Sequence, residues 1–214
     1  MILFGGSWGA TLSLLFAIQY LKRVKAMVLR GIFLGDKRSL DYFENGDIGR
    51  IYPEAWERFE SAFPKSQRHR KFEFLNEMVN SNDPETRRKF AFEYVLFGMS
   101  STKKEYHLDA LVQAVKNMDY ESYTKVQLHY VVNRFFLEDN FILNNLGNLE
   151  NIPIDIVHGR YDILCPLQYA FELHKKLPHS NLTIPDAGHA PTEPALERLM
   201  TEKLIKLSTL QVQK

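Results

Sequence analysis

The chain opens on a short apolar run, residues 1–4, that meets two glycines and gives way to residues 10–20, where apolar side chains recur at helical spacing. That is the pattern of a strand, a sharp turn and a helix. Residues 24–30 are a second apolar run of strand length stopping at Gly31, so the first thirty residues predict a β-α-β unit with a right-handed crossover. From 35 to 149 the texture changes to long, charged, aromatic-rich segments with few β-branched runs, which predicts an all-helical insertion. Buried-strand texture returns at 154–158 and stops at Gly159; a helix at 167–177, a short strand at 181–184 and a terminal helix at 193–210 follow. No internal repeat or low-complexity tract interrupts this order. The alternation predicts an α/β fold, a parallel sheet with helices on both faces, with core segments at 1–34 and 151–214 and the block at 35–150 as a helical cap over the carboxyl ends of the strands.

Composition narrows the function classes. A chain of 214 residues that is 45% hydrophobic and 25% charged can bury one core and a smaller subdomain. Its 27 basic and 26 acidic side chains create no net field for a polyanion, and no Lys/Arg run is interleaved with stacking aromatics, so nucleic acid is not an expected partner. The longest apolar stretches, such as 10–18, fall short of the roughly 20 residues that span a bilayer, and the N-terminus lacks the basic-then-apolar layout of a secretory signal. The expectation is a cytosolic protein with no membrane partner. Cys165 is the single cysteine, which rules out an intrachain disulfide and fits a reducing compartment.

Gly5-Gly6-Ser7-Trp8-Gly9 matches the G-x-S-x-G nucleophile elbow, in which serine occupies a strained turn between strand and helix. Many serines sit between glycines in ordinary loops, so context decides. Here the motif lies between an apolar strand and an amphipathic helix, and the helix start places the backbone N–H of Trp8 where an oxyanion would form. A serine hydroxyl needs a base, and in this fold the partners follow in the order Ser, Asp or Glu, His. Asp162 lies in the loop after the strand that ends at His158-Gly159, and His189 follows the last strand behind Gly188. Asp162 as acid and His189 as base complete the set; a helix-capping aspartate and a surface histidine are the alternatives.

The other histidines carry less. His158 ends a buried strand and reads as a packed, hydrogen-bonded core residue. His69, His107, His174 and His179 lie in polar surroundings, while His129 beside Tyr130 is compatible both with the inner wall of the cap and with its core. Histidines and carboxylates show no metal-ligand spacing, and there is no phosphate-cradling glycine loop, so neither metal nor cofactor is expected.

At this length of match the residues resemble the prolyl iminopeptidases of the α/β-hydrolase superfamily. Phe4 to Gly9 with Thr11-Leu12, Val28-Leu29-Arg30-Gly31-Ile32-Phe33, Ile156 to Asp162 with Cys165-Pro166, and Gly188-His189 carry the likeness, which extends to His129-Tyr130 and Asn133. The resemblance implies a cytosolic, cofactor-free enzyme that releases N-terminal proline from peptides by acyl transfer to serine and then water. An ester- or amide-hydrolysing enzyme for neutral acyl substrates, and an inactive remnant, are the alternatives.

Two departures from the family pattern stand out. The family carries about a hundred further residues ahead of the nucleophile strand, with a His-Gly-Gly-Pro-Gly-type loop that supplies a second oxyanion donor. Without that part, the strand at 1–4 is expected to expose an unpaired edge, and the chain to pair there with a missing N-terminal portion or with itself. The family also holds the substrate ammonium with two glutamates of the cap. These positions fall at Phe97 and Gln127, neither acidic, so Phe97, Gln127, His129 and Tyr130 are the candidate substrate-binding residues, with Glu93 or Glu138 as substitutes for the lost carboxylates.

Overall fold

A computed structural model describes residues 1–212, with side chains through Leu207. The chain divides into two compact units: Met1–Gly35 together with Asp139–Lys214, and Asp36–Glu138.

The first unit is built on four strands. β1 (Ile2–Gly6) leads through Ser7 into α1 (Trp8–Gln19), and β2 (Ala26–Arg30) follows. After the second unit come α8 (Phe141–Asn144), β3 (Ile154–Val157), α9 (Leu167–Lys176), β4 (Asn181–Thr183) and α10 (Pro194–Val212) once α2 to α7 are counted. The strands lie in the order β1-β2-β3-β4 and every pair is parallel, with Gly6 opposite Arg30 and Arg30 opposite Val157. Side chains of a strand alternate between faces. Met27, Leu29, Ile154 and Ile156 therefore pack with Ala10 and Leu14 of α1 and Ala170 and Leu173 of α9, while Val28 and Val157 pack with Leu196, Met200 and Leu207 of α10. Both faces of β2 and β3 are covered, which is why they are continuous apolar runs with no polar alternation. Asp155 is the exception inside β3; buried, it takes an ion pair at 2.7 Å from Lys203 of α10.

β1 pairs with β2 alone among the described residues. Phe4 on it is 53% exposed, and beside it opens a cavity of about 350 Å³ lined by Phe4, Gly6, Arg30, Pro191 and Met200.

The second unit is all helical: α2 (Lys37–Glu44), α3 (Pro53–Ser61), α4 (Lys71–Val79), α5 (Pro84–Ser100), α6 (Leu108–Lys116) and α7 (Tyr120–Val132). Its helix starts are written in the sequence. Asp36, Asp83 and Asp119 accept from the free N–H groups of the first turns of α2, α5 and α7, and proline fills the first position of α3 and α5. The core is aromatic: Phe97 stacks on Phe59 at 4.6 Å between ring centroids and meets Phe43 and Trp56 edge-on.

The sequence boundary at residue 150 shifts. Residues 139–150 belong to the first unit, because Ile142, Leu146 and Leu149 bury themselves in the cluster shared with β2, β3 and α9. Among the described residues no helix is long and apolar enough to cross a membrane.

Candidate active site

Ser7 sits at φ 57°, ψ −122°, a conformation that L-residues rarely adopt. The turn is held from both sides. Ser7 N–H donates to Arg30 O at 2.8 Å, and Ser7 C=O accepts from the N–H groups of Ala10 and Thr11 at 2.9 and 3.3 Å. Such a reversal brings the backbone of β1 against α1, and a Cβ on Gly5 would overlap the Gly9 carbonyl. Trp8 is the first residue of α1, so its N–H belongs to the electropositive helix start, and its indole meets Phe33 edge-on at 6.5 Å.

The acid and histidine loops are joined to each other by backbone. His158, Arg160 and Tyr161 N–H donate to Thr183, Pro185 and Ala187 O at 3.0, 2.9 and 2.9 Å. This brings Asp162, 5% exposed, against His189, 6% exposed. Asp162 uses both oxygens: Oδ1 accepts from Cys165 N–H at 2.8 Å, and Oδ2 lies 2.7 Å from His189 Nδ1. The carboxylate is thus fixed by its own loop before it meets the imidazole. Nδ1–H donating to Asp162 leaves Nε2 as the basic nitrogen.

Glycine is required where these loops touch. A Cβ on Gly159 would overlap the carbonyl oxygens of both Gly188 and Ala187. Gly159→Ala is therefore expected to cost about 3 kcal/mol, read as a lower urea midpoint at unchanged slope; a loss below about 0.5 kcal/mol would show that the loops separate freely. Gly31, at φ +52°, lies under the pair itself, where a Cβ would stand 3.0 Å from His189 Cε1 and 3.3 Å from Asp162 Oδ2.

Three further polar groups surround the pair. Arg30, 7% exposed, donates from Nη1 to His189 O. Burial lowers its pKa, and the charges of Asp162 and Cys165 act in the opposite sense. The Cys165 thiol is pushed well up, first by burial and then by the Asp162 charge, while the Ser7 hydroxyl and the Arg30 charge act against this. Cys165, Asp162 and His189 therefore share one buried cluster, their donor atoms within 4.8 Å of one another, while Ser7 is half-buried.

His158 is fully buried. Its Nδ1 accepts from Ile32 N–H at 3.0 Å and its Nε2 faces Cys165 O at 2.8 Å, with Asp162 Oδ2 at 3.4 Å. An accepting Nδ1 fixes the Nε2–H tautomer, so the ring is neutral and braces the Asp162 loop. Its pKa is lowered, chiefly by burial and against the pull of Asp162. In the unfolded chain the ring titrates near the ordinary value of about 6.5. Below that pH the unfolded state binds a proton that the folded state refuses, so stability falls as pH drops from about 6.5 towards the lowered folded value. Urea midpoints measured between pH 7.5 and 5.5 should fall more for the parent chain than for His158→Gln; equal slopes would assign the acid sensitivity to other groups.

The candidate substrate-binding residues are placed differently. All lie in the helical unit, and Phe97 is at 0% exposure inside its aromatic core, a packing residue and not part of a wall. The sequence offered no sign of this, since an aromatic beside Gly98 fits either place. Gln127 is half-buried on α7, His129 is exposed and Tyr130 half-buried; the rings of His129 and Tyr130 pack on Phe136. Phe136 belongs to a turn in which Arg134, Phe135 and Phe136 all take positive φ. Glu93 faces Arg58 at 3.6 Å, and Glu138 is exposed. Sequence reasoning gave no role to Arg30, Cys165 or Gly31. Arg30 carried a signal, a charge at the end of an otherwise apolar strand, and Gly31 one in its place directly after it.

Comparison with known proteins agrees with this architecture. The α/β-hydrolase fold family matches residues 1–194. Curated relatives include proline iminopeptidases of Arabidopsis thaliana, 35% identical over 198 residues, and of Neisseria gonorrhoeae, 35% identical over 202. Each alignment covers 91% of this chain but only 52% and 62% of the relative, so the chain spans about half to three-fifths of the length of these proteins. Among solved structures, an esterase from Thermogutta terrifontis is similar at a TM-score of 0.59 and 16% identity, over 98% of this chain and 65% of that one.

Proposed function

Because this chain belongs to the α/β-hydrolase fold family, we propose that it is a serine hydrolase of the proline iminopeptidase type, which releases N-terminal proline from peptides. The observation that carries the reading is the buried 2.7 Å Asp162–His189 pair, in a chain whose Ser7 is held at positive φ in the turn between β1 and α1.

In this mechanism Ser7 Oγ attacks the carbonyl of the scissile bond, and His189 Nε2 takes the hydroxyl proton. The imidazolium is stabilised by Asp162 and then protonates the leaving amine, which departs and leaves an acyl-serine ester. Water enters, gives a proton to the same nitrogen, and its oxygen displaces Ser7 Oγ, which takes that proton back from His189 as it leaves and restores both groups. The N–H of Trp8 stabilises the oxyanion in both halves. Neither half needs a cofactor.

Hydrolysis of a proline arylamide by the purified chain, lost on His189→Ala, tests the reading; release that persists in the variant would overturn it. The reading takes a small peptide or acyl compound as substrate and places the protein in the cytosol. It also places a strand-forming partner on the unpaired edge of β1, either the N-terminal portion of such enzymes or a second copy of this chain. The exposed Phe4 and the adjoining cavity support that placement.

A second reading, hydrolysis of neutral acyl esters or amides, is favoured by one observation: neither Phe97 nor Gln127 is acidic, and Glu93 is engaged by Arg58. An ammonium group without a carboxylate partner gains little from binding. The preference in kcat/KM for a free-amine prolyl substrate over its N-acylated counterpart is therefore expected to stay below a hundredfold. A larger ratio, more than about 2.7 kcal/mol, would show that another carboxylate holds the amine.

A further inference from the structure

We propose that Cys165, His189 and Asp162 form a binding site for a thiophilic divalent cation of the Zn²⁺ class, and that its occupation switches the hydrolase off. The three side chains are buried, and one sulfur, one imidazole nitrogen and one carboxylate oxygen lie within 4.8 Å of one another. Sulfur, nitrogen and oxygen at about 2.0–2.3 Å from a tetrahedral zinc ion stand about 3.3–3.8 Å apart. The widest separation therefore has to shorten by about 1 Å, while the His189 Nδ1–Asp162 Oδ2 contact, now 2.7 Å, has to lengthen if those two atoms ligate.

The donor set selects the ion. Thiolate and imidazole suit Zn²⁺ and Cd²⁺, whereas Mg²⁺ and Ca²⁺ require several oxygen ligands. Binding is a ligand exchange with no redox step: the cation loses water, the thiol proton leaves to solvent, and the S–metal bond forms. The resulting thiolate and the Asp162 carboxylate together balance the two positive charges.

The inhibitory half rests on the hydrolase reading; the binding half does not. If Nε2 ligates, its lone pair can no longer take the Ser7 proton. If Nδ1 ligates, the hydrogen bond to Asp162 is broken. In either case the base is lost.

Cys165 is the single cysteine, so any thiolate-to-metal absorption reports this residue alone. The test is titration of the purified 214-residue chain with Cd²⁺, followed by the thiolate–cadmium charge-transfer band. The band should saturate at one Cd²⁺ per chain and resist a thousandfold excess of Mg²⁺, and its apparent affinity should weaken at least tenfold in His189→Ala and in Asp162→Asn. No band at a tenfold excess of Cd²⁺, or undiminished affinity in either variant that folds, would overturn the site. A reading without substitutions guards against misfolding: one imidazole ¹⁵N resonance of the parent chain should shift on Cd²⁺ addition, and a titration that moves none contradicts the proposal. These signals need no substrate, so an inactive chain leaves the test intact. Stoichiometric Cd²⁺ should also slow labelling of Ser7 by a fluorophosphonate at least tenfold, and unchanged labelling of the metal-loaded chain would overturn the inhibitory half alone.

Discussion

Replacing Ser7 with alanine is expected to lower hydrolysis of an activated ester or proline arylamide by about 10⁵–10⁶-fold. Alanine keeps the shape of the turn but removes the one oxygen that could carry the acyl group. The turn itself does not depend on the hydroxyl: it is held by Ser7 N–H on Arg30 O and by the bonds from Ala10 and Thr11 to Ser7 O. The variant should therefore unfold at nearly the parent urea midpoint. The comparison is kcat for the two proteins at equal folded concentration. A loss of less than tenfold would mean that another group attacks the substrate.

Asp162→Asn is expected to cost about 10⁴-fold in kcat with little change in KM. Cys165 N–H donates to Oδ1 at 2.8 Å and holds an oxygen there, so the amide nitrogen takes the place of Oδ2, against His189 Nδ1. An amide donates where the carboxylate accepted. It stabilises the tautomer with its proton on Nε2, and that nitrogen can no longer accept from Ser7. The substitution is nearly isosteric, so a fall in kcat with an intact urea transition separates loss of the tautomer from loss of the fold. A kcat within tenfold of the parent would show that Asp162 neither orients nor supports the base.

Most of the sheet could be read from the chain. β2 and β3 are buried on both faces and so appear as apolar runs, broken only by Asp155 and ending in Arg30 on β2, and the glycines at 31 and 159 mark where they end. The helical unit was legible in outline through its capping aspartates. The limit at 150 was not, because the short α8 and the turns after it have the same helical texture as the unit before them; only burial of Ile142, Leu146 and Leu149 assigns them to the sheet. In the site, the order of Ser7, Asp162 and His189 along the chain follows from the chemistry, and the structure brings Asp162 and His189 into one buried pair. What surrounds them was hidden, since it depends on distance and not on spacing. Arg30 reads as a strand end until its guanidinium is seen on the carbonyl of His189, 159 residues away. Cys165 reads as an isolated thiol until it is found against Asp162 and His189. Phe97 shows the converse. Alignment with a family position suggested a binding role, and complete burial among Phe43, Trp56 and Phe59 makes it part of a core.

The central claim is that Ser7 is a nucleophile activated by the Asp162–His189 pair, and the most direct measurement is the location of a covalent adduct. The chain is treated with a fluorophosphonate, digested, and mapped by mass spectrometry. The account predicts one adduct per folded chain, on the peptide that carries Ser7, formed at least a hundredfold more slowly in His189→Ala. A cooperatively folded chain that takes up no probe, or carries it on another residue, would contradict it.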